Sequence, residues 1–305
     1  MTTFQGAPAE KAGFVGIGSR DVARMGYGLG SLTRAASSGA DGFDAGVRLL
    51  RQAGDLGVTF YDTAQFYGAG VANRLLARAF GADRDAVFYA SKVGARPLPE
   101  GPAPMTAAQK PSELRDAVHE NLRSLGTDHL DLVYLRRMDM QPGLVIEDSS
   151  DQKIPLEDLL AELVALRDSG DIGAIGLSHV SLEQFRAALP AGIAAVSNIH
   201  NLLHREHEDL LRLAEEHDVV WSPYFPLGGG GYAGLPKVTE DPRVREIAEQ
   251  LGMTPNQVGL AWVLARSPQS LVISGTASPD HLRENVEAAG VHLPDEALRA
   301  LDAAA

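Results

Sequence analysis

The chain has no cysteine. That absence excludes disulfides, thiolate metal sites and a cysteine nucleophile, and it says little about compartment. Basic charge is scarce as well: 27 lysines and arginines stand against 40 aspartates and glutamates, for a net charge of -13. A protein this acidic is not expected to bind nucleic acid or an anionic membrane surface unless its field is strongly local, so small molecules are the expected partners. Long apolar runs are missing too. Residues Met1 to Gly16 are polar and lack the apolar stretch of a secretory signal, and nothing further on reaches the length of a membrane span, which makes a cytoplasmic protein the expectation. No internal repeat and no interdomain linker stands out in 305 residues, of which 45% are hydrophobic and 22% charged. We expect one domain over 1–305, with ample material for a large core.

What the chain does have is concentrated between Val58 and Gly68. Val58-Thr59-Phe60-Tyr61-Asp62 is short, β-branched and aromatic with no helical period, so it reads as a buried strand ending in a carboxylate. Tyr67 follows in the loop before a helix that begins near Gly70, where a phenol can face a cleft. A second strand-like run, Val87-Phe88-Tyr89-Ala90-Ser91-Lys92, again ends in one ionisable group. Polar residues commonly follow strands because loops are solvated, and taken singly each of the three reads as structural or merely exposed. Together they make chemistry. A lysine beside a tyrosine favours the phenolate and lowers the tyrosine pKa, an aspartate fixes the lysine charge, and Tyr67 becomes a tunable general acid.

Strand-like and helix-like segments alternate along the chain. After a short hairpin around Phe14 to Arg24, strands are expected at Met25–Gly28 and Val58–Asp62, then at Ala86–Ala90, Leu130–Leu135, Ile172–Leu177, Ile193–Val196, Val219–Ser222 and Leu271–Ser274. Helical patterns fall between them at Phe43–Leu56, Val71–Phe80, Ser112–Leu125, Leu156–Asp168, Leu182–Leu189, Glu206–His217 and Val244–Leu251. This alternation predicts a closed (β/α)8 TIM barrel whose active site lies in the loops after the strands. An open doubly wound sheet is the alternative, but it calls for an early glycine fingerprint, and the spacing of Gly26, Gly28 and Gly30 does not provide one. Pro97 to Met105 and Gln141 to Pro155 read as long loops and as candidate lids.

Four motifs now stand in order: Tyr61-Asp62-Thr63-Ala64-Gln65-Phe66-Tyr67-Gly68, Ser91-Lys92-Val93-Gly94, Pro223-Tyr224-Phe225-Pro226-Leu227-Gly228, and Gly275-Thr276 through Glu284-Asn285. On these the chain resembles the aldo-keto reductase family over nearly its whole length. Within the family, the segments Arg115–Leu122, Leu135-Arg136-Arg137-Met138 and His281-Leu282-Arg283-Glu284-Asn285 look like the bacterial pyridoxal reductase branch. The resemblance implies hydride transfer between C4 of NADPH, with NADH as the alternative, and the carbonyl of a small-molecule substrate. It makes Tyr67 the proton donor, Lys92 its activating partner and Asp62 the carboxylate behind them. Tyr224 matches the ring that stacks on the nicotinamide, and Ser178 a contact to the carboxamide. Gly28, Phe225 and Pro226 count among the cofactor positions, and the loop Leu227 to Gly231, with Gly228 in it, matches the pyrophosphate clasp. Gly275, Thr276, Ser278, His281, Glu284 and Asn285 fall where the adenosine half is held, and the helix starting near Pro279 offers free N–H groups to the 2′-phosphate.

Several positions depart from the family pattern. Arg136 stands where a catalytic histidine is usual; a permanently charged fork of donors there can polarise an oxygen or hold an anionic substrate group. Otherwise Arg136 turns away to pair with Asp139 or a loop carboxylate. His179 stands where asparagine is usual and Ser197 where glutamine is usual, both at carboxamide contacts, and Ala277 and His281 occupy places often held by lysine or arginine. His200, His204 and His207 with Glu206 resemble a metal cluster, yet they read better as solvated or hydrogen-bonded histidines, and the acidic run Glu147–Asp151 has no regular ligand spacing. No metal is assigned. The leading function is an NADPH-dependent carbonyl reductase acting on pyridoxal or another aromatic aldehyde. A keto-sugar or natural-product ketone reductase is the second reading, and a slow nucleotide-sensing subunit the third. Oligomeric state is left open.

Overall fold

A computed structural model describes residues 6–98, 105–229 and 234–303. After a short 3-10 helix (Pro8–Ala12) comes a two-stranded hairpin, β1 (Phe14–Ile17) and β2 (Arg20–Ala23), turning at Gly18 with φ 61°. The chain then runs through β3 (Met25–Gly28), α1 (Leu32–Ala36), α2 (Ala40–Asp55), β4 (Phe60–Asp62), α3 (Val71–Phe80) and β5 (Phe88–Val93). A small hairpin, β6 (Ala95–Pro97) with β7 (Met105–Ala107), precedes α4 (Pro111–Leu125), β8 (Leu130–Arg136), α5 (Leu156–Asp168), β9 (Ile172–Ser178), α6 (Leu182–Ala188), β10 (Ile193–Ser197) and α7 (Glu208–Glu216). Then come β11 (Val220–Trp221), a second small hairpin of β12 (Gly228–Gly229) and β13 (Leu235–Lys237), α8 (Pro242–Leu251), α9 (Pro255–Ala265), β14 (Val272–Ile273), α10 (Pro279–Glu287) and α11 (Asp295–Asp302).

Eight parallel strands form one sheet in the order β11-β10-β9-β8-β5-β4-β3-β14. The two ends meet: Trp221 N–H donates to Gln269 O at 3.0 Å, and Leu271 N–H donates to Trp221 O at 2.8 Å. The sheet therefore has no free edge, and the (β/α)8 barrel expected from the alternation is present. Its interior is packed by alternate residues of the strands, including Phe60, Phe88, Leu132, Tyr134, Ala195 and Val220. Val15, Ile17 and Val22 of the first hairpin belong to the same cluster, so that hairpin plugs the end of the barrel at which the strands begin. Arg20 anchors the plug on Asp131 at 2.7 Å, and Asp131 also takes Arg84 at 2.7 Å and the Tyr89 N–H at 2.7 Å.

Helix boundaries follow local chemistry. Pro111 opens α4, the Glu113 carboxylate accepts the Lys110 N–H, and Gly126 at φ 67° ends it. Asp241 caps α8 through the Arg243 N–H, and Gly252 closes it at φ 64°. Three helices, α1, α9 and α11, were not among the expected segments. In α9 every residue from Val258 to Leu264 is buried, so its apolar face goes all round and leaves no period to read. Among the described residues no helix is long and apolar enough to cross a membrane.

Candidate active site

The two-residue period of a strand places the chemistry. Inward positions run Phe60 then Asp62 on β4, Phe88, Ala90 then Lys92 on β5, and Leu132, Tyr134 then Arg136 on β8. The last residue of each series is ionisable, and all three open into a cleft of about 590 Å³ at the ends where the strands finish. Beneath them the Tyr134 hydroxyl and the Ser222 hydroxyl lie 2.5 Å apart.

Lys92 and Asp62 are 4% and 2% exposed, so their contact is desolvated. Lys92 Nζ donates to both Asp62 oxygens at 2.5 and 2.6 Å and to Thr63 O at 3.1 Å. Burial lowers the Lys92 pKa, with Asp62 opposing and Arg136 adding to the fall; burial likewise raises Asp62 against the pull of Lys92. Each charge is tolerated there because the other is present. Lys92 Nζ also lies 4.9 Å from the centre of the Tyr67 ring, so the phenol sits against the ammonium. Tyr67 is braced by Phe66, edge to face with centres 5.2 Å apart, and by Gly30, where a Cβ would touch the ring carbons at 3.7–3.8 Å.

The same strand tips are fixed from outside the barrel. Thr63 and Ser91, one residue from Asp62 and Lys92, face the helices. Thr63 donates to Asn73 Oδ1 at 2.7 Å, Ser91 donates to Asn121 Oδ1 at 2.6 Å, and Asn73 Nδ2 joins the two through Asn121 Oδ1 at 2.8 Å. All four residues are fully buried, so the network holds β4 and β5 in register with α3 and α4 where no water competes.

Arg136 stays in the cleft. Its guanidinium carbon lies 5.4 Å from the centre of the Tyr224 ring, and Nη1 is 3.4 Å from Ser178 Oγ. The expected competitor carboxylate, Asp139, is taken by the next residue: Arg137 Nη2 approaches it at 2.6 Å while Nη1 donates to Gln109 Oε1 at 3.0 Å. Adjacent residues of a strand point to opposite sides, so with Leu132 and Tyr134 facing in, Arg136 faces the cleft and Arg137 turns out to Asp139.

His179, at φ 60°, does not line the cleft. Its Nε2 is 2.9 Å from Met140 O, and a carbonyl only accepts, so Nε2 carries the proton. Nδ1 is then the acceptor for the Tyr224 hydroxyl at 2.7 Å. Burial first, then Arg136, lowers this imidazole from its ordinary 6.5 to about 4, which keeps it neutral and keeps the Tyr224 latch intact. Ser197 also lies off the cleft; its carbonyl accepts the His179 N–H at 3.0 Å, and its Oγ is buried without a hydrogen-bond partner among the described residues. Asn198, which the sequence reading passed over, clamps Val180 with bonds of 3.0 and 2.7 Å to both of its backbone groups.

The other expected cofactor positions divide into two groups. Gly28, Tyr224, Phe225, Pro226, Leu227, Gly228 and Gly275 line the cleft, as does Ser178. Glycine is required at two of them: a Cβ on Gly228 would lie 1.9 Å from Pro236 O, and one on Gly275 would lie 2.0 Å from Gly28 O. Gly228 and Gly229 form a strand pair with Leu235–Lys237, whereas Gly230 and Gly231 lie outside the described residues, as does most of the expected lid from Pro97 to Met105. Thr276, Ser278, His281, Glu284 and Asn285 sit beyond the cleft on and before α10. Thr276 O accepts the Tyr27 hydroxyl, Ser278 Oγ caps α10 through the His281 N–H, and Glu284 Oε1 accepts the Thr254 hydroxyl at 2.5 Å. His281 is exposed, and the buried Asn285 Oδ1 has no hydrogen-bond partner among the described residues. Of the histidines that resembled a metal cluster, His204 and His207 have ring centres 6.4 Å apart, while His200 is packed among aromatic rings. His200 stacks on Trp262 and meets Trp221 edge-on, while His204 reaches Glu206 at 3.9 Å. Among the described residues no group of three His, Asp or Glu side chains is placed to hold a metal.

The cleft also contains residues that were not among the expected site residues. Ser31, Thr33 and Arg34 come from the segment between β3 and α2, Phe66 and Gly68 flank Tyr67, Met105 comes from β7, and Ile273 and Ser274 come from the end of β14. The one signal for the first group was the length of that connection, longer than a β-to-α turn needs.

Comparison with known proteins agrees with this arrangement. The chain is 38% identical over 291 residues to pyridoxine 4-dehydrogenase of Escherichia coli, covering 94% of this chain and 96% of that protein. It is 31% identical over 304 residues to an uncharacterised oxidoreductase of Schizosaccharomyces pombe, covering 96% and 90%. Among solved structures, an aldo/keto reductase from Klebsiella pneumoniae in complex with NADP and acetate matches with a TM-score of 0.76 at 26% identity, covering 95% and 94% of the two chains. The sequence model of the aldo/keto reductase family matches residues 24–305. With that match, the barrel and the paired Lys92 and Asp62 beside Tyr67, the chain belongs to the aldo/keto reductase family of oxidoreductases.

Proposed function

We propose that this protein is an NADPH-dependent reductase of small carbonyl compounds, with pyridoxal or a related aromatic aldehyde as its substrate. The observation that carries the reading is the desolvated Lys92–Asp62 pair against the Tyr67 ring, with Arg136 on the neighbouring inward position. NADPH, when bound, supplies the hydride. The chain's own residues manage the proton and the charge. Tyr67 donates its phenolic proton to the carbonyl oxygen as that oxygen gains charge; the Lys92 ammonium stabilises the phenolate left behind, and Asp62 keeps Lys92 charged despite its burial. Arg136 presents fixed N–H donors to the same oxygen or to an anionic oxygen beside it, such as the phenolate of pyridoxal.

The residues present fit the cofactor. Tyr224 offers a ring held in place by His179 on one side and Arg136 on the other. Gly275 and Gly228 allow backbone to approach where any side chain would collide. Asn285 Oδ1, a buried polar atom without a partner among the described residues, lies at a position that the resemblance assigns to the adenosine. The similarity to a pyridoxine 4-dehydrogenase supports the substrate. Tyr67→Phe tests the reading: turnover of pyridoxal with NADPH should fall by ~10²–10⁴-fold while NADPH binding, followed by its fluorescence, is nearly retained. Wild-type turnover by this variant removes Tyr67 from the proton-donor role.

A further inference from the structure

A cation that the proton-transfer chemistry does not use stands at the rim of the cleft. Arg34, on α1, lines the same cleft as Tyr67, Lys92 and Arg136 and is exposed. It makes no hydrogen bond or ion pair among the described residues, whereas Lys92 is neutralised by Asp62 and Arg137 by Asp139. The ionisable lining thus holds three fixed cations, Arg34, Lys92 and Arg136, against the single carboxylate of Asp62, in a chain whose net charge is -13. A cleft that concentrates positive charge inside an acidic protein attracts anions and repels none of its own surface.

The segment that carries Arg34 touches the cofactor side of the cleft through Ser31, whose Oγ would lie 2.7 Å from a Cβ on Gly275, and the substrate side through the Tyr67 loop. The segment carrying it lies across the Tyr67 loop: Gly30 backs the Tyr67 ring, and a Cβ on Gly68 would come within 2.9 Å of Thr33 Cβ. Arg34 follows directly on Thr33. Building on the reductase reading, we infer that the cleft takes carbonyl compounds carrying a second, anionic group remote from the carbonyl, a phosphate or a carboxylate, and that Arg34 is the residue that selects for it. Arg136 and Tyr67 meet the carbonyl end, and Arg34 meets the anion at the rim, where a planar fork of donors suits either oxyanion.

The test compares pairs of substrates that differ by the anionic group: 4-carboxybenzaldehyde against benzaldehyde, and pyridoxal 5′-phosphate against pyridoxal. In the wild type, the charged member of at least one pair has the higher kcat/KM; the pair that shows it identifies carboxylate or phosphate. In Arg34→Ala the charged-to-neutral ratio of kcat/KM falls by about tenfold, the low end for a charge-assisted bond at an exposed site. An unchanged ratio, or a loss of NADPH affinity that lowers both members equally, assigns Arg34 to the cofactor or to solvent and overturns the inference. Titration calorimetry of the same four aldehydes into the protein without cofactor reads the preference independently of turnover. If no aldehyde is reduced, the reductase reading fails by itself, and the calorimetric ratio in wild type and Arg34→Ala still decides the role of Arg34.

Discussion

Replacing Lys92 with methionine should produce a destabilisation whose size depends on pH. The substitution keeps the length of the side chain and removes the cation bonded to Asp62, which is 2% exposed. Removing one partner of a buried pair costs ~3–5 kcal/mol when the remaining charge has no escape. Asp62 has an escape, because it can take up a proton. Burial already raises its pKa with Lys92 in place, and both of the causes that oppose burial come from Lys92. Without that lysine the folded-state pKa moves further above the unfolded value. A carboxyl with a raised folded pKa binds more protons folded than unfolded, so stability is full below the unfolded pKa and is lost as the pH climbs through the folded one. The Lys92→Met penalty, measured against wild type by urea unfolding with circular dichroism, should therefore be small near pH ~5 and approach ~3–5 kcal/mol near pH ~8. Asp62→Asn added to Lys92→Met should recover most of the loss at the higher pH. Equal penalties at both pH values, or a double variant as unstable as the single one, would refute the argument that the pair is held together by mutual desolvation.

Arg136→Ala should lower kcat/KM for pyridoxal by ~2–3 kcal/mol of transition-state stabilisation if its fork donates to the developing alkoxide; unchanged steady-state kinetics on anionic and neutral aldehydes alike would exclude that role. Because His179 is held near 4 rather than its ordinary 6.5, its contribution to stability is complete above 6.5 and declines as the pH falls toward 4, by on the order of 3 kcal/mol. The pH slope of unfolding over that range should flatten in His179→Gln, and an unaltered slope would show that the imidazole titrates normally. Gly275→Ala places a Cβ 2.0 Å from Gly28 O and must push β14 from β3, so NADPH affinity measured by fluorescence should fall along with the thermal midpoint. His281→Arg should tighten NADPH and leave NADH unaffected, since a permanent cation at the start of α10 acts on the 2′-phosphate alone; equal changes for both nucleotides would place His281 elsewhere.

The sequence by itself determined the alternation of strands and helices, and with it the barrel and the end of the barrel that carries chemistry. It also determined that Asp62 and Lys92 each end a buried strand, because an apolar β-branched run closed by one charge is a local pattern, whereas the inward face they share came with the closed barrel. Val71–Phe80 was legible for the same kind of reason, since its buried residues fall on one face. Other features came only with the closed barrel. Whether Arg136 or Arg137 took Asp139 depended on where the loop after β8 was tied, by Gln109 and Ile154. His179 reads as a cofactor contact in the chain, yet its ring is committed to Met140 and Tyr224, residues 39 and 45 positions away. Arg34 became part of the cleft, and Asn73 and Asn121 the outer brace of the strand tips, for a similar reason. Their partners are distant in sequence and meet only when eight strands close into a ring, and no local pattern in the chain encodes which distant side chains that closure brings within hydrogen-bond reach.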